Sequence, residues 1–490
     1  MAPLLVPIAV AALALLVLVA DIAPAEGSSR GVGALAALGL FLIAGLAGFA
    51  PTGPAVGGAW VNDAFTLFAM RLVLVAGALS CVASIDGADR SFPRRQGEYH
   101  LLLLSSVLGM TLLAGTRDLV LLIVAFELMS IPQYALAAIR KDGSRTAEGA
   151  TKLYLTGALS AGLAIYGASF LVGVAGSSSL ADIAAAGDSP MRTLGLLLLL
   201  AGLSYKLGAV PFHGWVPDTF QSAPAPFVAF LSVAPKVAAV AALLRLQNAG
   251  AGVAATWGSL VVVVAVVTMV FGNLLAIPQT NVRRLLAWSG IGHVGLMLVA
   301  LYLHTAESAA AVIFYLATYV VSNLGAFFVA EAVGSEVGDE LGGWNGLARR
   351  SPGLALAMLL ALLSLGGIPF VAGFWGKMFL FRTWWLAGEV GLVWLGALLT
   401  VVGLFYYLKV ARAIYVEPPA NPAPIAVGRP TLVAIVLAMV GVVGLGLLPG
   451  PVWQSALDGG AALVDGVNAQ FSRPVGSPPL VEPVEVDEDE

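Results

Sequence analysis

Lys206-Leu-Gly-Ala-Val-Pro-Phe-His-Gly-Trp215 closes one long apolar run, and Leu365-Gly-Gly-Ile-Pro-Phe-Val-Ala-Gly-Phe-Trp-Gly-Lys377 sits within another. Gly-x-x-Pro-Phe recurs in the two, with Gly208, Pro211 and Phe212 matching Gly366, Pro369 and Phe370. A proline inside a helix removes a backbone donor and clashes with the preceding turn. Both runs are therefore expected to break or kink, at Pro211 and Pro369. Irregular backbone at membrane depth is tolerated where it is buried in protein or lines a wet cavity. Corresponding Gly/Pro interruptions in two halves of a membrane chain point to a transport site between structural repeats. A lysine stands beside each interruption.

The surrounding chain fits that reading. It has 490 residues, 59% hydrophobic and 11% charged, where a soluble chain would be about a quarter charged. Long apolar runs between short polar loops indicate helices, because barrel strands alternate over about ten residues. Fourteen spans are expected, near 3–20, 31–50, 61–83, 100–116, 118–139, 150–174, 191–213, 224–246, 254–277, 284–303, 308–333, 353–381, 389–415 and 431–449. The fold class is thus an all-α polytopic membrane protein, and the turn near Gly115 is its least defined boundary. Run 3–20 lacks the basic start of a signal peptide and is long enough to span, so it is read as a retained first helix. Residues 1–99 hold three N-terminal spans, 100–246 a first repeat, 254–415 a second and 431–449 the last span. Residues 450–490 form a tail whose acidic end, Val481–Glu490, is expected to be disordered.

Loop charge sets the expected orientation. Loops after odd-numbered spans carry Arg30, Arg90, Arg94, Arg95, Arg140, Lys141, Arg145, Arg283, Arg284, Arg349, Arg350, Lys409, Arg412 and Arg429. Loops after even-numbered spans carry only Arg117, Arg192, Arg245 and Arg382. The basic loops face the cytoplasm, which puts both termini on the outer, periplasmic side of a cell membrane.

Several charges sit inside the apolar runs. A charge at bilayer depth costs about 2.5–3.5 kcal/mol on insertion scales, so a chain that keeps several is expected to use them to move ions or protons. Desolvation disfavours a charged amine and a neighbouring carboxylate favours it; a carboxylate facing a lysine is therefore a simple proton device. Glu127 and Lys206 are the natural pair, Lys236 beside Pro235 the next acceptor, and Lys377 the exit. His293, between them in chain order, is of the type that shuttles protons near neutral pH. Each also has a structural reading: an ion pair locking two helices for Glu127, structural charges for Lys206 and Lys236, a snorkelling Lys377, a helix–helix hydrogen bond for His293. Lys152 is either a snorkelling residue or a second modulator of Glu127, and His213 a relay or a loop contact. His100 and His304 read as interfacial loop residues, Asp63 and Arg71 as a structural pairing, Lys409 and Arg412 as interfacial anchors. The single Cys81 excludes an intrachain disulfide framework or a Cys-ligated cluster. The four histidines lack metal-ligand spacing, and no dinucleotide fingerprint is readable.

The same motifs carry a resemblance. Phe126-Glu-Leu-Met-Ser-Ile-Pro-Gln-Tyr134, Lys152-Leu-Tyr-Leu-Thr-Gly-Ala-Leu-Ser160, Pro211-Phe-His-Gly-Trp-Val-Pro-Asp218, Ala223-Pro-Ala-Pro-Phe-Val-Ala-Phe-Leu-Ser-Val-Ala-Pro-Lys236, Trp288-Ser-Gly-Ile-Gly-His293 and Ser364–Lys377 occur in order. From about residue 100 to 415 the chain resembles the antiporter-like subunit N family of the proton-pumping NADH:quinone oxidoreductase, respiratory complex I. The resemblance implies two inverted five-helix repeats, helices 4–8 and 9–13, with helices 7 and 12 broken. It implies a hydrophilic axis for proton translocation through a helix-5 glutamate, matched by Glu127, and lysines on helices 7, 8 and 12, matched by Lys206, Lys236 and Lys377. NADH, FMN, iron–sulfur clusters and quinone would be handled by partner subunits, with no cofactor in this chain, and its partners would be other membrane-arm subunits and the lipid bilayer. Gln221 departs from the acidic residue of many relatives, and the acidic tail lies outside the pattern. Two other functions share parts of these features: a subunit of a multi-subunit cation/proton antiporter, and a non-conducting membrane-arm scaffold. Sodium-dependent exchange without NADH would mark the first, and normal pumping by lysine variants the second.

Overall fold

The computed structural model describes residues 2–22, 29–91, 96–140, 144–249, 254–419 and 421–471. The expected tail Val481–Glu490 and the loop cations Arg94, Arg95 and Lys141 lie outside the described residues. In chain order the α-helices are α1 (Leu5–Ile22), α2 (Ser29–Leu46), α3 (Ala64–Ser91), α4 (Gln96–Ala114), α5 (Leu119–Ala137), α6 (Ser144–Ala175), α7 (Leu180–Ala185), α8 (Pro190–Leu207), α9 (Trp215–Ser222), α10 (Ala225–Ala249), α11 (Ala254–Ala276), α12 (Val282–Tyr302), α13 (Ala306–Val337), α14 (Leu347–Arg350), α15 (Pro352–Gly366), α16 (Ala372–Leu386), α17 (Val390–Tyr415), α18 (Arg429–Leu447) and α19 (Gly450–Phe471). Among the described residues twelve helices are long and apolar enough to cross a membrane. The two expected spans missing from that set are the interrupted ones: α8 stops short of the expected end of span 7, with α9 following the break, and span 12 divides into α15 and α16.

Burial sorts the helices into a centre and a rim. Every residue in the apolar window of α10 is buried, and 94% of those windows in α12 and α13, against about a third in α1, α2, α6, α11 and α17. Rim helices turn bulky apolar side chains outward, among them Leu15, Leu38, Leu155, Phe271 and Trp394; hydrocarbon solvates these at no cost. Lys236 on α10 and His293 on α12 are buried in these windows and can only be reached from other protein groups or from cavities between the helices.

The turn near Gly115 is defined by a feature the sequence reading did not anticipate. A short hairpin, β1 (Gly53–Ala55) with β2 (Trp60–Asn62), lies between α2 and α3. Val61 N donates to Gly115 O at 2.8 Å, and Trp60 Nε1 donates to Leu112 O at 2.9 Å. A Cβ at Gly115 would lie 2.5 Å from the Trp60 ring, so only glycine lets the indole close over the turn. Asp118 then caps α5, accepting from Val120 N and Leu121 N. The stretch after Pro449 forms α19, which packs across α3 and α13: Gly459 and Gly460 approach Phe65 and Ala306 closely.

Two sequence expectations change here. His100 is fully buried in α4, bonded to Ser84 at 3.1 Å and to Gln96 O at 2.8 Å, because the helix begins at Gln96 and brings it against α3. Asp63 pairs with Arg245 rather than Arg71. Asp63 sits at the start of α3, where only the long guanidinium at the end of α10 reaches it, whereas Arg71 is exposed two turns along the helix. His304 does lie in an exposed loop, and Lys409 donates to Ile277 O and Gln279 O beyond the end of α11, as an anchor would.

Candidate proton-transfer site

Both interrupted helices end in the same way. Gly208 takes the left-handed conformation (φ 75°), with Gly208 N donating to Tyr205 O and Ala209 N to Ser204 O. Gly367 does likewise (φ 80°), with Gly367 N donating to Ser364 O and Ile368 N to Leu363 O. These are Schellman caps, which satisfy carbonyls that the end of a helix would orphan. The structural partner of Gly208 is therefore Gly367, not Gly366 as the sequence match had it. The spacing to proline is one residue shorter in the second break, and a left-handed φ at a helix end favours the residue without a Cβ.

The lysines approach these breaks from opposite sides. Lys206 belongs to α8, two residues before Gly208. Lys377 belongs to α16 and reaches back across its break, donating to Leu365 O at 2.9 Å and Gly366 O at 3.2 Å. It places a cation on the carbonyl end of α15, where the helix dipole favours positive charge. Trp215 serves the first break instead, its Nε1 donating to Tyr205 O at 3.2 Å.

Lys206 is 2% exposed, and its Nζ has no hydrogen-bond partner among the described residues. It lies over the Tyr134 ring at 5.6 Å and the Phe126 ring at 6.0 Å. Glu127, on α5 beside Phe126, is near enough for the two charges to interact, yet no ion pair within 4.0 Å joins them, and Glu127 Oε1 is buried without a partner. The expected ion pair is therefore not made, and the two groups interact only at longer range. On α5, Gln133 and the Met129 carbonyl are tied to Ser106 of α4, which fixes the helix that carries Glu127.

Lys236 is also 2% exposed. Its Nζ donates to Ser232 O at 2.7 Å and sits over the Phe220 ring at 5.5 Å. Tyr319 OH donates to the same carbonyl at 3.4 Å, and Asn323 Nδ2 donates to Ser232 Oγ at 2.8 Å. Tyr319 then stacks on His293, ring centroids 5.3 Å apart. His293 has both ring nitrogens engaged: Nδ1 with Tyr315 OH at 2.5 Å and Nε2 with Tyr407 OH at 3.0 Å. Tyr407 OH also meets Ser289 Oγ in a short contact. Lys377 and His293 line the same two cavities, of about 20 and 10 Å³.

Lys236, His293 and Lys377 are thus drawn into one buried cluster, with Lys206 and Glu127 at the first break. Lys152 and His213 stand apart from it. Lys152 Nζ binds Asp218 Oδ2 at 2.6 Å and Glu148 Oε1 at 2.7 Å, not Glu127. Asp218 also holds Arg284 Nη1 at 2.6 Å, and Arg284 reaches Gln221 Oε1 at 3.1 Å. Asp218 therefore ties α6, α9 and α12 together. His213 packs against Trp288 and Phe271, 5.5 and 6.2 Å between ring centroids, steadying the first break on α11 and α12. Sequence reasoning missed Asp218, although it stands in a quoted motif. It also missed Tyr315, Tyr319, Ser289, Ser232 and Tyr407. Tyr315, Tyr319 and Asn323 recur every fourth residue, a polar stripe on one face of an apolar helix, and that spacing was a usable signal.

Comparison with known proteins places these motifs in context. The family model described as NADH:quinone oxidoreductase/Mrp antiporter, TM, matches residues 116–403. NADH-quinone oxidoreductase subunit N of Moorella thermoacetica is 39% identical, over 93% of this chain and 97% of its own. Subunit N of Heliobacterium modesticaldum is also 39% identical, over 81% of this chain and 85% of its own. A chain in the structure of respiratory complex I from Thermus thermophilus with bound aureothin superposes with a TM-score of 0.79. It is 35% identical, covering 92% of this chain and 99% of that one.

Proposed function

This chain belongs to the NADH-quinone oxidoreductase subunit N family, and from that premise we propose that it translocates protons in the membrane arm of complex I. Quinone reduction in partner subunits drives the transfer along Glu127, Lys206, Lys236, His293 and Lys377. The observation that carries this reading is the burial of four basic groups on α8, α10, α12 and α16, each at most 7% exposed. Burying several cations among apolar helices is costly, and Lys236 shares the Ser232 carbonyl with Tyr319, whose ring packs against His293.

In this reading the open Glu127–Lys206 pair is the switched element. Closure stabilises the ammonium, and opening leaves it in a dry site with aromatic faces only, from which the proton moves on to Lys236. His293 passes the proton to Lys377, which releases it across the second break. Units 100–246 and 254–415 act as the inverted repeats, with three N-terminal spans, a last span and a C-terminal tail around them. The basic loops and both chain ends take the orientation expected above. NADH, FMN, iron–sulfur clusters and quinone are bound by partner subunits, and this chain contributes translocation to the assembled enzyme.

Lys206→Met tests the reading, since it removes the charge at similar bulk. In fully assembled complex the variant should pump fewer protons per NADH. Correct assembly with an unchanged ratio would remove Lys206 from the path.

A further inference from the structure

The last transfer of the proposed path runs from His293 to Lys377. His293 and Lys377 share cavities, but no side chain links the imidazole to the amine directly. The larger cavity, about 20 Å³, is lined by His293, Lys377, Ser289, Tyr406, Tyr407 and Asn273 among others. A buried water needs roughly 10–15 Å³ of such volume and two to four polar partners, so the cavity has room and polarity for one. Lys377 also has the matching valence. Two of its N–H groups are used on Leu365 O and Gly366 O. A neutral amine then has its lone pair left, and an ammonium one further N–H. The same water position suits both charge states.

We propose that this cavity holds a single water, and that Tyr407 and this water carry the proton between His293 and Lys377. The inference rests on the translocation reading above and adds Tyr407 to it as a proton-transferring residue, with Ser289 and Tyr315 as positioning residues. Tyr315 OH fixes the Nδ1 side of the imidazole, and Tyr407 OH faces Nε2. In the step, Nε2–H gives its proton to the Tyr407 oxygen as the Tyr407 proton passes to the water. A water proton passes at the same time to the neutral Lys377 nitrogen. Each oxygen gains one proton and loses one, the imidazolium loses one and becomes neutral imidazole, the neutral amine gains one and becomes ammonium, and no electron moves. Ser289 Oγ, against the Tyr407 hydroxyl, keeps that hydroxyl aimed during the exchange.

Gly403 allows a test that leaves every titratable group in place. It lines the cavity, and a Cβ there would lie 3.4 Å from both Asn273 Oδ1 and Tyr406 OH, an ordinary contact. Gly403→Ala should therefore fold, and its methyl would narrow the cavity from the Asn273 and Tyr406 side. Purified intact complex with Gly403→Ala, Tyr407→Phe or Lys377→Met would be reconstituted in vesicles and scored for protons pumped per NADH oxidised. The expected result is that Gly403→Ala and Tyr407→Phe lose the same share of the ratio as Lys377→Met. A merely structural role predicts normal ratios for Gly403→Ala. Loss with Lys377→Met but normal ratios in the other two overturns this inference alone. A normal ratio with Lys377→Met overturns the translocation reading instead. If either new variant fails to assemble, a high-resolution map of the unaltered complex decides: a density peak within hydrogen-bond distance of Lys377 Nζ and Tyr407 OH supports the water, and its absence refutes it.

Discussion

The Asp63–Arg245 pair sets the position of α10, and removing one partner should reveal how much. Asp63 accepts from Thr66 N at 2.8 Å and receives Arg245 Nη2 on both oxygens at 2.8 Å. The side chains are 15% and 4% exposed. Breaking a buried pair by deleting one charge costs about 3–5 kcal/mol. After Asp63→Asn the guanidinium keeps Thr66 Oγ1 at 2.8 Å and a longer bond to Ala114 O, so the lower end, about 3 kcal/mol, is expected. Arg245→Met leaves Asp63 its Thr66 bond and some water, at a cost of about 1–2 kcal/mol. The double variant should cost less than the sum, with a coupling of about 2 kcal/mol. Reversible unfolding in mixed micelles, followed for all four forms, measures it. A coupling below about 0.5 kcal/mol, the scatter expected of independent sites, would refute the clamp.

The pair also predicts an acid limb. Burial pushes the Asp63 carboxyl up, but the Arg245 charge and the bonds from Thr66 and Arg245 outweigh it and hold the carboxyl below its usual range. A depressed folded-state value means this stability is fully present above the unfolded value of about 3.9 and is lost as pH falls through the folded one. The pair should add no pH dependence between 5 and 8, and Asp63→Asn should erase its share of the acid limb.

Three further outcomes are expected. Lys206→Met should lower protons pumped per NADH while a native gel still shows the full complex. Glu127→Gln should lower the same ratio, and a normal value there would favour a structural role for the carboxylate. Asp218→Asn removes the anchor of Lys152 and Arg284; these groups are partly exposed, so about 1 kcal/mol is expected, seen as a small fall in melting temperature with assembly intact.

The sequence was most legible where one residue type has one physical use. Apolar runs gave the spans, and glycine together with proline marked both breaks; proline alone does not, since α5 and α10 run on through Pro132 and Pro235. The glycine register was misread at the second break: Gly366 and Gly367 are adjacent, and only backbone conformation distinguishes the one that turns left-handed. Charges inside apolar runs singled out Lys206, Lys236 and Lys377 as unusual, since their burial is costly anywhere in the bilayer, and the structure buries all three. His100 was misplaced because helix ends are set by caps and by the neighbours available, which hydropathy does not report. Asp63 was given the wrong partner because the right one is far away in sequence.

By itself the sequence determined that this is a helical membrane protein with two interrupted spans and buried charges, and its motifs identified the family. Those properties follow from local chemistry: hydropathy, backbone donors and the cost of charge in hydrocarbon. Tertiary structure alone decided which groups meet. Ser232 joins Lys236 to Tyr319, Tyr407 crosses from α17 to His293, Asp218 ties three helices, and Lys377 reaches a carbonyl pair across its own break. Hydrogen bonds act over about 3 Å, and a polar side chain's partners are whatever packing brings within that distance, from any point along the chain.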